Sequence, residues 1–293
     1  MENIGFIGLG IMGKPMALNV LKAGYTVSVL EKNKAAGELV NAGARALPSN
    51  KAIAESADIV ITMLPDTPQV KEVVFAPDGV LEGIRKGALF IDMSTIAPAA
   101  AKEIYDAFRQ KGVEALDAPV SGGEVGAVSA SLSIMTGGNE AAFQRALPLL
   151  QTMGKNIVLI GSAGAGQTTK ACNQMIVGMT IQAVAEAFTL AAKAGVNLEK
   201  MREALLGGFA QSRILDLHGK RIIERNFAPG FKISLHRKDM GIALQVGREN
   251  AVPLYGTAQV AAHMDALIAA GNGEKDHSAI ALLMERLAGM NKG

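Results

Sequence analysis

Lys170 is the residue whose type and neighbours best suit proton transfer. It opens the run Lys170-Ala-Cys-Asn173-Gln174, in which both amides follow at spacings that share one face of a helix. An ammonium beside an amide can donate a proton to a carbonyl oxygen while a hydride reaches the carbonyl carbon. Because Met175–Val177 are apolar, we expect Lys170 to point inward, where burial lowers the pKa of a lysine. Lys170 and Asn173 are our candidate catalytic residues, and Asn173 and Gln174 remain alternatives for the supporting amide.

The run Ser121-Gly122-Gly123 is a second candidate for chemistry. It follows a predicted strand over 114–117, so we expect it on a loop. Consecutive glycine N–H groups beside a hydroxyl can form a concave anion site that suits a carboxylate. The same residue types are also common in a plain turn, and the sequence leaves both interpretations open.

A glycine-rich turn near the N-terminus suits a dinucleotide. An apolar run over 4–7 predicts a buried strand, the spacing Gly-x-Gly-x-x-Gly follows it, and a helical pattern comes next. In such a turn the glycines permit a tight bend, close approach of phosphate oxygens, and close packing of helix on strand. The phosphate charge then meets the positive end of the helix dipole. We therefore predict a cofactor site that includes Gly8, Gly10, Ile11, Met12 and Gly13.

A carboxylate is placed to choose between the two nicotinamide cofactors. The predicted strand Thr26–Leu30 ends at Glu31, close to the expected distance of about twenty residues beyond the glycines. A carboxylate there accepts hydrogen bonds from ribose hydroxyls and repels a 2′-phosphate. This predicts NAD, while the neighbouring cation Lys32 can offset the repulsion and keeps NADP possible.

The elements that must position these residues alternate in type over the first half of the chain. Strands are predicted over 59–64, 88–92, 114–117, 131–136 and 157–160, with helices between them, which indicates a mostly parallel α/β sheet. Its strand ends are expected to bring Leu64, Pro65, Ser94 and Thr95 to the cofactor cleft. From Gly161 the signals are helical. We therefore predict an α/β domain over 1–163 and an all-helical domain over 164–293, joined by a long helix over about 165–194.

Composition excludes several classes of partner. Lys and Arg total 29 against 27 Asp and Glu, and aromatic residues make up 4% with no Trp, so we expect neither nucleic acid nor an anionic membrane as a partner. Cys172 is the only cysteine and the four histidines show no paired ligand spacing, which predicts no disulfide and no metal. The apolar stretch 171–194 carries several amides and charges, so we predict a helix buried in protein. With no signal peptide visible, we expect a cytoplasmic protein.

The chain as a whole resembles the β-hydroxyacid dehydrogenase family from Ile4 to about Leu287. The motifs that carry the resemblance are 5–13 (GFIGLGIMG), 117–123 (DAPVSGG), Gly164-x-Gly-x-x-x-Lys170, and 230–239 (GFKISLHRKD). The family implies a Rossmann-type domain that binds NAD(P), a helical substrate domain, and a homo-oligomer, dimer or tetramer. It implies that Lys170 is the acid/base. It also implies that Ser121, Gly122 and Gly123 grip a substrate carboxylate, and that Phe231 and Lys238 close over substrate and cofactor.

A finer likeness within the family concerns the substrate. Segments such as 10–16 (GIMGKPM), 226–231 (NFAPGF) and 276–279 (DHSA) imply reversible reduction of 2-hydroxy-3-oxopropanoate, an aldehyde acid, to glycerate. Dehydrogenation of 3-hydroxyisobutyrate and reduction of glyoxylate or succinic semialdehyde stay open. A dinucleotide-binding scaffold without catalysis is the alternative outside the enzyme class, since a fold alone does not imply chemistry.

Overall fold

The computed structural model describes residues 1–290 of the chain. The chain forms two compact units, Met1–Lys170 and Ala171–Gly293. Each unit has its own apolar core. The prediction of a mostly parallel N-terminal sheet followed by a helical region is confirmed.

Within residues 1–290, all nine strands belong to the first unit and form one sheet. Its order is β3-β2-β1-β4-β5-β6-β8-β7, with β9 beside β8. The pairs from β3 through β6 are parallel, β8 pairs antiparallel with β6 and β7, and β9 pairs parallel with β8. The strands are β1 Asn3–Ile7, β2 Thr26–Leu30, β3 Arg45–Leu47, β4 Ile59–Thr62, β5 Leu89–Asp92, β6 Glu114–Asp117, β7 Val120–Ser121, β8 Leu132–Gly137 and β9 Gly154–Gly161.

The central strands are apolar because both faces of the sheet are covered. Side chains alternate between two cores: Ile59 and Ile61 face one, and Val60 faces the other. Helices pack on the faces as crossover connections. In the first unit they are α1 Gly13–Lys22, α2 Ala36–Asn41, α3 Asn50–Ser56, α4 Thr67–Phe75, α5 Val80–Gly83, α6 Pro98–Gln110, α7 Gly123–Val128 and α8 Glu140–Leu150.

The sheet places its functional edge between β1 and β4. The chain winds outward from β1 in one direction through β2 and β3, and in the other through β4, β5 and β6. Ligands of doubly wound sheets bind at the carboxyl ends of the strands beside such a reversal. The loops after β1, β2, β4, β5 and β6 all leave from this edge, because these strands are mutually parallel.

The second unit is helical in its described residues. The long helix α9, Ala165–Lys193, begins in the first unit and continues into the second. By length and composition it could cross a membrane, and 44% of its most apolar window is buried inside the protein. The other helices are α10 Leu198–Leu206, α11 Arg213–Ile223, α12 Ile233–Glu249, α13 Tyr255–Ala269, a short 3-10 helix His277–Ala279 and α14 Ile280–Leu287.

Some predicted element boundaries are wrong. The strand expected over 59–64 ends at Thr62, the strand expected over 131–136 runs one residue later, and Ser121 ends a two-residue strand where we expected a loop. The strands β3 and β7 were not predicted. They have three and two residues, too few for a strand periodicity to show.

Candidate functional site

The turn between β1 and α1 requires glycine at two positions. Gly8 has φ of 101°, a conformation that side chains disfavour. A Cβ on Gly8 would lie 2.2 Å from the Met63 carbonyl oxygen, and a Cβ on Gly13 would lie 1.9 Å from the Gly8 carbonyl oxygen. The first glycine therefore permits the turn, and the third lets α1 start against it.

The middle glycine faces open space. A Cβ built on Gly10 would meet no atom within 4 Å, and Gly10 and Ile11 are exposed. Met12 at the N-cap of α1 makes no side-chain cap, and the first turn carries no acidic residue. An exposed backbone at the positive end of a helix fits a pyrophosphate, which needs close approach and N–H donors. An open cavity of about 540 Å³ adjoins the turn and is lined in part by Gly10, Ile11 and Lys14.

Glu31 lies where the sequence predicted it, directly after β2. Its side chain is exposed, and its backbone N–H donates to the Leu47 carbonyl at 2.9 Å, so β3 fixes the position of this turn. Lys32 is also exposed. The carboxylate and the ammonium thus both occupy the carboxyl edge of the sheet.

The loops after β4 and β5 are tied together by a buried carboxylate. Asp92 Oδ1 accepts from Thr62 Oγ1 at 2.8 Å and from the Ser94 N–H at 3.1 Å, while Ser94 Oγ accepts from the Leu64 N–H at 2.9 Å. Burial raises the pKa of Asp92 to about 6, against the opposing effect of these hydrogen bonds. This network sets the strand ends that carry Leu64, Pro65 and Thr95. Sequence reasoning missed Asp92, although a carboxylate that ends an apolar strand was a usable signal.

Ser121, Gly122 and Gly123 form a strand end and a helix start. Ser121 pairs with Ser133 across β7 and β8, and Gly122 is the N-cap residue of α7. Gly122 and Gly123 have φ of 141° and 62°, so both positions favour glycine. Both glycines are exposed and Ser121 is half-buried. The hydroxyl and the two glycine backbones are thus adjacent at the surface of the first unit.

The first turns of α9 are fixed to the sheet by Asp117 and Gln167. Asp117 accepts from the Gly164 N–H at 2.7 Å and from the Gln167 N–H at 2.8 Å, so a carboxylate caps the helix. The Gln167 side chain donates to the Ser94 carbonyl at 2.8 Å and accepts from the Ile96 N–H at 3.1 Å. Burial raises the pKa of Asp117 even though backbone N–H donors oppose the shift. Neither Asp117 nor Gln167 is among the site residues predicted from the sequence.

Lys170 lies one turn beyond Gln167 on this fixed segment and is 6% exposed. Its burial agrees with the expectation drawn from its apolar neighbours. Lysine is rarely buried to this extent without a partner or a function. The segment Gly164–Lys170 therefore presents a buried lysine from a helix start held by two strand ends.

Asn173 and Gln174 belong to one polar network of the second unit. Asn173 Nδ2 donates to Gln174 Oε1 at 2.8 Å, and Gln174 Nε2 donates to Asp239 Oδ2 at 2.5 Å. Lys238 Nζ lies 3.0 Å from the other oxygen of Asp239. Asp239 of α12 thus orients Gln174, which in turn orients Asn173. The predicted residues Asn173 and Lys238 are therefore linked through Gln174 and Asp239.

Phe231 belongs to a different group in the same unit. The Gly230 and Phe231 N–H groups donate to Asp276 Oδ2 at 3.0 and 3.1 Å. The Phe231 ring lies 5.5 Å from that of His277 and 5.7 Å from that of His236, centroid to centroid. Three histidines distant in sequence, His218, His236 and His277, are neighbours here, and His218, His277 and Asp276 offer ligand-type atoms within 4.8 Å of one another.

Comparison with known proteins gives two family models that together span most of the chain. Residues 3–161 match the NAD binding domain of 6-phosphogluconate dehydrogenase. Residues 164–284 match the NAD-binding domain of NADP-dependent 3-hydroxyisobutyrate dehydrogenase. With the fit of the glycine turn to a pyrophosphate, these matches establish a protein that binds NAD(P).

Three individual proteins illustrate the similarity. The 2-hydroxy-3-oxopropionate reductase of Escherichia coli K12 is 46% identical and covers 97% of this chain and 98% of its own length. The 2-(hydroxymethyl)glutarate dehydrogenase of Eubacterium barkeri is 38% identical over 98% of this chain and 96% of its own. The solved structure of Mycobacterium tuberculosis 3-hydroxyisobutyrate dehydrogenase with L-serine has a TM-score of 0.90 at 34% identity, over 97% of this chain and 99% of that one. The chain belongs to the β-hydroxyacid dehydrogenase family of NAD(P)-dependent oxidoreductases.

Proposed function

We propose that the protein catalyses the reversible reduction of 2-hydroxy-3-oxopropanoate to glycerate with NADH. The observation that carries this proposal is the buried Lys170 on a helix start anchored by Asp117 and Gln167. The similarity to the Escherichia coli 2-hydroxy-3-oxopropionate reductase supports the choice of aldehyde.

Each step of the proposed reaction is assigned to a chemical group of the protein or of its cofactor. A bound reduced nicotinamide would supply a hydride for the aldehyde carbon. Lys170 donates a proton to the carbonyl oxygen as negative charge develops on it, and recovers that proton in the reverse direction. The Ser121 hydroxyl and the Gly122 and Gly123 N–H groups hold the substrate carboxylate. Asn173, oriented through Gln174, supports the substrate oxygen.

Residues at the carboxyl edge of the sheet are proposed to hold the cofactor. The exposed backbone at Gly10 and the start of α1 would hold the pyrophosphate, and Glu31 would bind the ribose hydroxyls, which favours NADH over NADPH. The remaining proposed cofactor contacts are Gly8, Ile11, Met12, Gly13, Leu64, Pro65, Thr95 and Lys238, and Phe231 is proposed to close over the substrate.

We further propose how the chain is organised in the cell. Residues 1–163 serve as the cofactor domain and residues 164–293 as the domain for substrate and subunit contacts, a division supported by the two family-model matches. The working form is a cytoplasmic homo-oligomer, dimer or tetramer.

Oxidation of 3-hydroxyisobutyrate is the second candidate function. It is favoured by the second family model and by the Mycobacterium tuberculosis structure, both described as 3-hydroxyisobutyrate dehydrogenases. A scaffold without catalysis is disfavoured, because burial of Lys170 carries a desolvation cost that a binding role does not require.

A substrate panel tests the proposal. We would measure kcat/KM for tartronate semialdehyde (2-hydroxy-3-oxopropanoate), methylmalonate semialdehyde, glyoxylate and succinic semialdehyde, each with NADH and with NADPH. We expect tartronate semialdehyde with NADH to give the highest value. A higher kcat/KM for methylmalonate semialdehyde would favour the second candidate, and activity with none would contradict both.

A further inference from the structure

Three buried imidazoles in the second unit form a hydrogen-bonded chain that ends on α9. His277 Nδ1 lies 2.9 Å from His236 Nδ1, and His277 Nε2 lies 3.2 Å from His218 Nε2. His236 Nε2 lies 3.1 Å from the backbone carbonyl oxygen of Gln174. Exposure is 8% at His218, 6% at His277 and 0% at His236. The proposed reaction mechanism assigns no role to these rings.

The Gln174 carbonyl oxygen fixes the direction of the hydrogen bonds among the three histidines. A carbonyl oxygen only accepts, so His236 must carry its proton on Nε2 and, when neutral, offers a lone pair at Nδ1. His277 must then donate from Nδ1, and its Nε2 must accept from His218 Nε2–H. Each neutral ring therefore has one permitted tautomer.

At the other end of the three histidines, His218 faces a carboxylate. His218 Nδ1 lies 3.6 Å from Asp276 Oδ1 and, among residues 1–290, has no hydrogen-bond partner. A lone pair directed at a carboxylate is repelled, whereas a proton on Nδ1 gives an attractive pair.

The surroundings of the three histidines favour the neutral form of His277. Burial raises the pKa of Asp276, but the neighbouring His218 and His277 rings, together with donors from Ser278 and the Phe231 N–H, hold it well below its usual range. Burial lowers the pKa of His277 well below its usual value, and charge on His236, on His218 or on Arg221 lowers it further, against the attraction of Asp276. Two further charged groups adjoin the ends of this arrangement: Arg221 of α11 lies 3.5 Å from Asp276 Oδ2, and Asp239 of α12 is bonded to Gln174.

The bond from His236 adds to the attachment of α9 at Gln174. The side chain of Gln174 is held by Asp239, and its backbone carbonyl by His236, so one residue of α9 is bound twice by α12. A Cβ on Gly178, one turn later, would lie 3.3 Å from His236 Cε1, which shows how closely the ring packs on α9. Lys170 precedes Gln174 by one turn of the same helix.

We propose that His277 is a positioning residue for the reduction. Its Nδ1–H holds the His236 ring so that His236 Nε2–H reaches the Gln174 carbonyl, on the turn of α9 that carries Asn173 and follows Lys170, and its ring supports Phe231. This inference rests on the proposed function for its effect on turnover, but the tautomers themselves do not depend on it.

The variant His277→Phe removes both nitrogens and keeps an aromatic ring against Phe231. Its matched control is His263→Phe, because His263 bonds Gln182 outside the chain. We expect kcat for the best aldehyde of the panel to fall about five- to tenfold in His277→Phe, the worth of one hydrogen bond, with KM and NADH affinity within twofold. The control is expected to keep its kcat. A kcat unchanged in His277→Phe would overturn the proposal.

The decisive readout is ¹⁵N NMR of the histidine rings without substrate. In the wild-type protein we expect His236 and His218 as the Nε2–H tautomers and His277 as the Nδ1–H tautomer. In His277→Phe, His236 should keep the Nε2–H tautomer that the Gln174 carbonyl requires, while its Nδ1 resonance shifts because the hydrogen bond from His277 is lost. A proton on His277 Nε2 in the wild type would contradict the proposed hydrogen bonds among the three histidines. A stoichiometric divalent metal retained by the purified protein, with these rings as ligands, would contradict them as well. Both measurements use the wild-type protein, so they test the proposal even if His277→Phe fails to fold.

Discussion

Asp117→Asn tests whether the start of α9 positions the reaction. The carboxylate accepts from the Gly164 and Gln167 N–H groups at 2.7 and 2.8 Å. An amide of the same shape keeps one acceptor oxygen and turns the other position into a donor that faces an N–H group. One hydrogen bond is therefore lost and the other becomes neutral.

The size of the effect follows from these two bonds. Hydrogen bonds to a charged group are worth about 1.5–3 kcal/mol and neutral ones about 1 kcal/mol. Relief of a buried charge offsets part of the loss, because burial raises the pKa of Asp117. We expect the helix start to be destabilised by about 2 kcal/mol. A displacement of about 1 Å at Lys170 lowers a rate on the order of 100-fold, so we expect kcat to fall about 10- to 100-fold.

The assay pairs local stability with turnover. Amide hydrogen exchange at Gly164 and Gln167 should accelerate about 30-fold, the equivalent of 2 kcal/mol, while NADH affinity changes less than twofold. The control is Asn139→Ala, which removes the N-cap of α8, where Asn139 Oδ1 accepts from the Ala142 N–H at 2.7 Å. It should lower stability by about 1 kcal/mol and leave kcat unchanged. If amide exchange and kcat in Asp117→Asn both match the wild type, Asp117 does not position the start of α9 for the reaction.

Three further predictions concern the cofactor edge of the sheet. The pKa of Asp92 is about 6 in the folded protein against 3.8 for the free group. The folded state therefore binds more protons between these values, and stability falls by about 3 kcal/mol in total as pH rises from about 3 to about 7. Asp92→Asn should remove this fall in thermal unfolding scans, and an unchanged pH profile would refute it. Gly10→Ala should keep the unfolding midpoint but reduce NADH affinity at least tenfold, because the new methyl fills only the space the pyrophosphate needs. The control is Gly37→Ala, whose new methyl also meets no atom within 4 Å. Equal NADH affinities of the two variants would contradict a pyrophosphate site at Gly10. Glu31→Ala should narrow the preference for NADH over NADPH about tenfold in kcat/KM, since the repulsion of a 2′-phosphate is removed; a preference that does not change would show that Glu31 is not at the ribose.

The fold was predictable where local sequence constrains it. Buried parallel strands appear as short apolar runs, and the glycines of the first turn are required by backbone geometry, with φ of 101° at Gly8. The three-residue strand Arg45–Leu47 could not be found, because its burial pattern shows two exposed residues and one half-buried residue, without an apolar run. The ends of elements also differ from the predicted ends by up to three residues, as in β9, which was predicted over 157–160 and runs from Gly154 to Gly161.

The candidate site was only partly predictable. Its glycines, Glu31 and Lys170 stand out because residue type and spacing are themselves informative, and their roles remain predictions. The supports were missed because they join distant segments: Asp117 to Gln167 across 50 residues, and His277 to His218 across 59. No periodicity reports such pairs, since they arise from the packing of strands and helices.

The most direct test of the account is Lys170→Ala, measured for turnover and for NADH binding on the same preparation. Lys193→Ala is the matched control, because that lysine lies in the last turn of the same helix and donates to the Ala288 carbonyl at 2.6 Å. We predict that Lys170→Ala lowers kcat by about 10²- to 10⁴-fold with NADH affinity nearly unchanged, as expected for loss of a general acid. The control should match the wild type. Activity retained in Lys170→Ala would contradict the assignment.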